Sequence, residues 1–193
     1  MNMGALTGAD DLPHRPLTVK DVERMSDAGI LRAEDRVELI GGQLIAMHPK
    51  GTPHEALKLV LLRHWHGAMQ PDGDLIPHTT FRLSEDTFIE PDFLVFPRTV
   101  GVSGLSPATV LLAVELSDSS LGYDLGPKAL VYAHFGVREL WVIDAVGMRI
   151  HVHRDPEAGR YRSITPWSAD DLVVPAFAPS DFALRLGDLD LTD

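Results

Sequence analysis

Apolar residues recur with a helical period in two segments of the chain. A capping pair, Thr18 and Asp21, predicts a helix that ends near Ala28. The sequence TPHE predicts a second helix, with Thr52 as its N-cap, that runs to about Met69. Its apolar side chains are spaced by three or four residues, so one face of this helix should lie on the core.

Short apolar runs elsewhere predict strands. Two of them meet at Gly41-Gly42, a two-residue hairpin signal within residues 36–47. A helix with Pro127 in its first turn is predicted to end at Phe135-Gly136. Further strands are predicted at residues 74–76, 80–83, 92–96 and 110–116, at two places in 138–154, and at 160–164. This order of elements predicts an α/β (α+β) fold with helices around one mixed sheet.

The composition predicts one domain without disulfides. A chain of 193 residues with 45% hydrophobic residues fits a single domain, expected at residues 17–190 after a flexible segment at residues 1–16. The chain has no cysteine and its N-terminus lacks the basic and apolar regions of a signal peptide, so a cytoplasmic location is expected. No apolar run approaches the ~18 residues of a membrane span, so no membrane partner is expected.

The charge of the chain limits how it can meet nucleic acid. Its formal net charge is −11, and an acidic protein repels the phosphate backbone. Any contact with DNA must therefore come from a local basic patch or from metal ions.

Two acidic residues border strands that are otherwise apolar. Asp92 precedes the run FLVF, and Glu115 follows five consecutive apolar residues in TVLLAVE. An unpaired ion in such a low-dielectric position is costly, so both carboxylates need partners. If the two strands pair antiparallel, the acids meet at one edge of the sheet and repel each other unless a divalent ion such as Mg²⁺ lies between them. The alternative is a salt bridge from each carboxylate to a nearby arginine or lysine.

Lys128 and Glu38 are charged residues in apolar surroundings. Lys128 is the only basic residue in the first turns of its helix, and Glu38 lies in the hairpin run RVELI. A surface lysine with its stem along apolar surface would also explain the first, and the polar position of an edge strand the second. The other lysines, Lys20, Lys50 and Lys58, fall in the first helix, a loop and the long helix.

These motifs, in this order, resemble a known family. The series is ELI-GGQLI-M…P…H from Glu38 to His54, then PD, then VELS, then D…K…Y…GV.ELWVID. It resembles the Uma-type restriction endonuclease family of the PD-(D/E)XK nuclease superfamily over about residues 17–190. The resemblance implies a restriction-endonuclease-like core, with a central mixed β-sheet flanked by helices. In the superfamily motif a lysine follows the second acid by two residues. Here Ser117 lies at that place, and the Uma-type pattern supplies the lysine from the next helix, as Lys128.

The resemblance also implies roles for the site residues. Asp92, Glu115 and the backbone carbonyl of Leu116 would hold one Mg²⁺ or Mn²⁺ ion, which polarises a phosphodiester. Lys128 would orient the attacking water or stabilise charge in the transition state. Glu38 matches the family's N-terminal acid and would bind a second ion or help position the first. The expected function is hydrolysis of DNA by a divalent-metal-dependent endonuclease.

Other interpretations stay open at this point. A catalytically silent nuclease fold that serves as a binding or assembly module would also suit an acidic chain with little basic surface. His54, which matches the family's histidine, is either close to the site or a polar residue in the first turn of its helix. The apolar segment RELWVID and the edge strands predict a homodimer, an assembly suited to cutting both strands of a duplex.

Overall fold

A six-stranded mixed sheet occupies the centre of the computed structural model, which describes residues 15–32, 34–68 and 72–191. The strands are β1 Val37–Ile40, β2 Gln43–Ala46, β3 Gly73–Pro77, β4 Phe81–Arg82, β5 Phe88–Ile89, β6 Phe93–Pro97, β7 Leu112–Ser117, β8 Glu139–Asp144, β9 Arg149–Glu157 and β10 Arg160–Trp167. The helices are α1 Val19–Asp27, α2 Thr52–Ala68, α3 Leu121–Tyr123 and α4 Ala129–His134, with a π-helical turn at Asp124–Lys128 and 3₁₀ turns at Val102–Gly104, Ser180–Phe182 and Leu186–Asp188. The predicted fold class, a central mixed sheet flanked by helices, is confirmed.

The strands form two sheets, whereas one was predicted. The central sheet has the order β10-β9-β8-β7-β6-β3, in which only β7 and β8 pair in parallel. A four-stranded antiparallel sheet of order β2-β1-β5-β4 lies apart from it. The chain changes sheets between β5 and β6, where Pro91 has no N–H to continue a ladder. Because β5 has only two residues, no alternation in the sequence could reveal this second sheet.

Local sequence signals decide several element boundaries. Thr18 and Asp21 form the predicted capping box, with the Asp21 N–H 3.2 Å from Thr18 Oγ1. The hairpin turns at Gly41 and Gly42, whose φ angles of 56° and 78° suit the twist of the flanking strands. Thr52, the predicted N-cap, is instead the first residue of α2, so the helix begins one residue earlier than expected.

The core surrounds β7 on both faces. Val114 and Leu116 pack towards α2, where Trp65 meets Phe93 edge-on with ring centroids 5.4 Å apart. Residues of alternate parity, including Ala113, lie on the opposite face with α4. Glu115 shares this parity, so the fold directs its side chain towards α4.

All of the segment RELWVID except its first residue forms β8, which lies inside the sheet between β7 and β9. Its apolar side chains are buried within one chain. The apolar character that favoured a homodimer is therefore explained for this segment without a second copy.

The predicted helix end at Met69 and most of the predicted flexible segment, residues 1–14, lie outside the described residues.

Candidate active site

The pairing of β6 with β7 brings Asp92 and Glu115 to the same edge of the sheet. The strands are antiparallel with Phe93 opposite Val114, so the next positions along this register are Asp92 and Glu115. Each residue is only 3% exposed. The condition set by the sequence, that these two strands pair antiparallel, is met, and the two acids line one cleft.

Asp92 is surrounded by hydrogen-bond donors. Lys50 Nζ lies 2.6 Å from its Oδ1, while the Leu116 N–H donates to Oδ2 at 2.9 Å and His54 Nε2 lies 3.1 Å from the same oxygen. Burial opposes ionisation of this carboxyl, but the hydrogen bond from His54 and the charge of Lys50 outweigh it. The pKa of Asp92 is therefore held well below its usual range, and the group is a carboxylate at neutral pH.

Glu115 shares one cation with a second acid. Lys128 Nζ lies 3.0 Å from Glu115 Oε1 and 2.8 Å from Glu38 Oε1, and the Tyr132 hydroxyl donates to Glu115 Oε1 at 2.5 Å. Burial raises the pKa of Glu115 to about 8, with the charge of Lys128 opposing it and the nearby acids, including Asp124, adding to it. Burial lowers the pKa of Lys128, but the carboxylates of Glu115 and Glu38 outweigh that effect and raise it. Lys128 thus stays an ammonium, and Glu115 takes up a proton more readily than Asp92 does.

A widened helical turn places Lys128 in the cleft. Pro127 has no N–H to give to the carbonyl four residues earlier, and the helix expands there into the π turn Asp124–Lys128. The first and last residues of this turn are buried, each 4% exposed. The sequence predicted an ordinary first turn at Pro127. The observed helical segment already begins at Leu121, and it is the π turn that directs both charged ends inward.

Ser117 makes a different contact from the lysine of the superfamily motif. Its hydroxyl donates to Asp124 Oδ2 at 2.7 Å, and Ser120 donates to the same oxygen at 2.6 Å. Burial raises the pKa of Asp124, with the charge of Lys128 opposing. Asp124 is the D of the family pattern D…K…Y, for which the sequence suggested no role. The structure brings its side chain to the cleft.

Glu38 lies at the junction of the two sheets. It is 1% exposed although it occupies a strand of the small sheet. Besides Lys128, it accepts hydrogen bonds from the Glu90 N–H at 2.9 Å and from the Tyr123 hydroxyl at 3.1 Å. The interpretation of Glu38 as the polar position of an edge strand is therefore wrong.

The chain is similar to known nuclease-like proteins. The family model described as "Putative restriction endonuclease" (Uma2) matches residues 19–187, most of the chain. The protein belongs to the Uma2 family. Family membership confirms the resemblance found in the sequence and supports nuclease activity in general.

A solved structure supports the fold of this Uma2 protein. A protein from Anabaena variabilis, described as a "putative nuclease belonging to DUF820", superposes with a TM-score of 0.69 and 19% sequence identity. The match covers 90% of this chain and 97% of the other. No curated protein sequence matches the chain. Within the described residues, no helix is both long and apolar enough to cross a membrane.

One contact of the Uma2 protein contradicts a sequence-based expectation. Lys50 was assigned to a loop and given no part in the site, yet its ammonium meets Asp92. The loop is fastened by the next residue, because the Gly51 N–H donates to Asp118 Oδ2 at 2.7 Å. No periodic signal in the sequence encodes this long-range contact. The motif position of His54 was the one signal that this region approaches the site, and His54 does lie in the cleft.

The donor set of the Uma2 site fits a divalent cation. Asp92, Glu115 and the Leu116 carbonyl offer the hard oxygen ligands that Mg²⁺ and Mn²⁺ accept, with remaining positions left for water. Both contacts to Glu115 use Oε1, so Oε2 is the oxygen that a cation could take. Across residues 15–32, 34–68 and 72–191, no three His, Asp or Glu side chains converge as a preformed metal centre. The lysines instead neutralise the carboxylates.

Proposed function

We propose that this Uma2 protein is a divalent-metal-dependent endonuclease that hydrolyses phosphodiester bonds of DNA. The observation that carries the proposal is the buried ammonium of Lys128, held by Glu115 and Glu38 beside Asp92. Burying three charged groups in one cleft is costly, and a fold maintains such a cluster most readily where chemistry uses it. The nuclease family of the chain supports the choice of chemistry.

Each residue of the cleft has a proposed part in the reaction. Asp92, Glu115 and the Leu116 carbonyl would hold Mg²⁺ or Mn²⁺, which when bound supplies Lewis-acid polarisation of the phosphodiester. The Lys128 ammonium would orient the attacking water and stabilise the negative charge that develops on phosphate oxygens. Glu38 would fix the position of Lys128 through its 2.8 Å contact. During hydrolysis the water oxygen bonds to phosphorus, the bond to the leaving oxygen breaks, and a proton passes from water to that oxygen.

Plasmid cleavage tests this proposal. Purified protein is incubated with supercoiled plasmid and Mg²⁺ or Mn²⁺, and nicked and linear products are measured on a gel. We expect cleavage that a chelator stops and that the Asp92→Asn variant lacks. The matched control is Asp74→Asn, because Asp74 pairs with Arg98 on the surface, outside the cleft. Cleavage by Asp92→Asn at the parent rate would show that a contaminant, or another site, does the cutting.

A second candidate function is a catalytically silent binding or assembly module. It is favoured by the charge balance of the cleft, since Lys50 and Lys128 already neutralise Asp92 and Glu115 without any metal. A closed set of internal ion pairs can be purely structural. Metal binding separates the two candidates, because a silent module has no reason to take up Mn²⁺ at the Asp92 carboxylate. Titration calorimetry with Mn²⁺, wild type against Asp92→Asn, measures this directly.

We also propose DNA and a second copy of the chain as partners. The edge strand β10 has eight residues and exposes Ile164, which suits pairing with another molecule. Light scattering after gel filtration should give twice the 21.2 kDa of one chain, and a monomer at high concentration would contradict the dimer.

A chain without cysteines suits the reducing cytoplasm, where we propose that it acts.

A further inference from the structure

Lys50 occupies the cation position on Asp92. Its Nζ lies 2.6 Å from Oδ1, and both side chains are largely buried, at 13% and 4% exposure. The other oxygen of Asp92 is already used by His54 and by the backbone N–H of Leu116. Oδ1 is therefore the oxygen of Asp92 that an added cation would meet, and an ammonium now lies on it.

The backbone beside Lys50 is fastened to a neighbouring loop. The next residue, Gly51, donates its N–H to Asp118 Oδ2 at 2.7 Å. A Cβ at Gly51 would come within 2.4 Å of that oxygen, so any other residue here would make the Asp118 side chain shift. A lysine carries its charge on a flexible four-carbon stem. A change of side-chain rotamer could therefore move the ammonium while the Gly51–Asp118 contact stays in place.

The two lysines of the cleft are held to different degrees. Lys128 contacts two carboxylates and is 4% exposed, whereas Lys50 contacts one carboxylate and has His78 Nδ1 at 3.4 Å. Two cations cannot share Asp92 Oδ1 at close range, because like charges repel. Of the two lysines, Lys50 is the one that can yield its place.

We infer that Lys50 is a resident counter-ion of Asp92 that a divalent cation displaces, and that the released ammonium binds a phosphate oxygen of DNA in the same cleft. The inference rests on the proposed function. It makes Lys50 a positioning residue that couples metal uptake to substrate binding. Without metal the ammonium pairs with Asp92, and with metal the same charge becomes available to a phosphate, on a chain whose net charge is −11.

Calorimetric titration with Ca²⁺ tests the first half of the inference. The variants are Lys50→Met, which removes the charge, and Lys50→Arg, which keeps it. Lys20→Met is the matched control, since Lys20 lies exposed on α1. We expect Lys50→Met to bind Ca²⁺ about tenfold more tightly than wild type, which corresponds to about 1.4 kcal/mol. Lys50→Arg and Lys20→Met should bind like wild type.

Binding of a short DNA duplex in the presence of Ca²⁺ tests the second half. Lys50→Met should bind the duplex several-fold more weakly, although it binds Ca²⁺ more tightly. The slope of log affinity against log salt should fall by about 0.9, the loss of one phosphate contact. A merely structural lysine would not shift the two affinities in opposite directions. Circular dichroism verifies folding, and Lys50→Gln replaces Lys50→Met if the latter does not fold.

The outcomes separate this inference from the proposed function. Equal Ca²⁺ affinities in wild type and Lys50→Met would overturn the displacement and leave the endonuclease proposal intact. Tighter Ca²⁺ binding with unchanged DNA binding would overturn the phosphate contact. Absence of Ca²⁺ binding in every variant would contradict both proposals together.

Discussion

Two carboxylates lie side by side at one sheet edge, equally buried, yet their surroundings shift their pKa values in opposite directions. Asp92 receives a backbone N–H and faces Lys50 and His54, and its pKa is lowered. Glu115 has Lys128, but that ammonium also serves Glu38, and burial raises the pKa of Glu115 to about 8. The difference shows that burial alone does not set ionisation. The hydrogen-bond donors and the charges around each carboxylate decide the direction together with burial.

Loss of Asp92 should have the largest effect. Asp92→Asn keeps the shape of the side chain and removes the charge that would bind the cation, so cleavage should fall by about 10³-fold. The free energy of unfolding should fall by only about 1–2 kcal/mol, because the partly exposed Lys50 can turn to water. Plasmid cleavage and urea unfolding measure the two effects. A large loss of stability with full cleavage activity would show that Asp92 has a structural role and not a catalytic one.

Removal of Lys128 should affect the surroundings of Glu115, the second of the two carboxylates. Lys128→Met should reduce cleavage by about 10²-fold or more while metal binding persists, since no metal ligand is lost. Without metal it should also destabilise the fold by about 3 kcal/mol, because the partner carboxylates stay buried.

The destabilisation in Lys128→Met should depend on pH. The folded state holds a proton on Glu115 more tightly than the unfolded chain, whose pKa is near the model value 4.5. Stability from this proton is present at low pH and is lost as pH rises from 4.5 through about 8. Because the charge of Lys128 lowers the pKa of Glu115, the variant binds this proton still more tightly than wild type does. The loss of unfolding free energy in Lys128→Met relative to wild type should therefore be larger at pH 9 than at pH 6. Urea unfolding at the two pH values measures it, with Lys20→Met as control. Cleavage by Lys128→Met at the parent rate would refute its catalytic role.

The raised pKa of Glu115 predicts pH-dependent metal binding. Below about pH 8 a cation must displace the proton on Glu115, so apparent Mn²⁺ affinity should fall by up to tenfold per pH unit. Above that pH the affinity should level off, since Asp92 is ionised throughout. Calorimetry between pH 6 and 9 in two buffers also counts the released protons. An affinity independent of pH would mean that Glu115 carries no proton.

His78 offers the smallest and most local effect, on the Asp92 side. Partial burial and, after it, the charge of Lys50 together lower the pKa of His78 to about 4. Its folded pKa lies below the unfolded value, so this contribution to stability is present above pH 6.5 and is lost as pH falls towards 4. In Lys50→Met, NMR titration should show the His78 pKa move up towards 6.5. An unchanged value would mean that the two side chains do not interact in solution.

Several features of this protein follow from its sequence alone. Thr18 with Asp21 and the Gly41-Gly42 pair act through contacts only a few residues apart, so their helix start and hairpin could be predicted. The sequence placed Asp92 and Glu115 at opposite ends of their apolar strands, and they meet because the fold pairs those strands antiparallel. The family pattern added Lys128 and Glu38.

Tertiary structure alone decided the ionisation of the site. The contact of Lys50 with Asp92 spans 42 residues and depends on a loop fastened by Gly51, for which the sequence carries no periodic signal. The π turn at Pro127 likewise depends on which carbonyl finds a donor, and it directs Lys128 inward. A pKa is set by the sum of burial and nearby charge, and both quantities exist only once distant segments have come together.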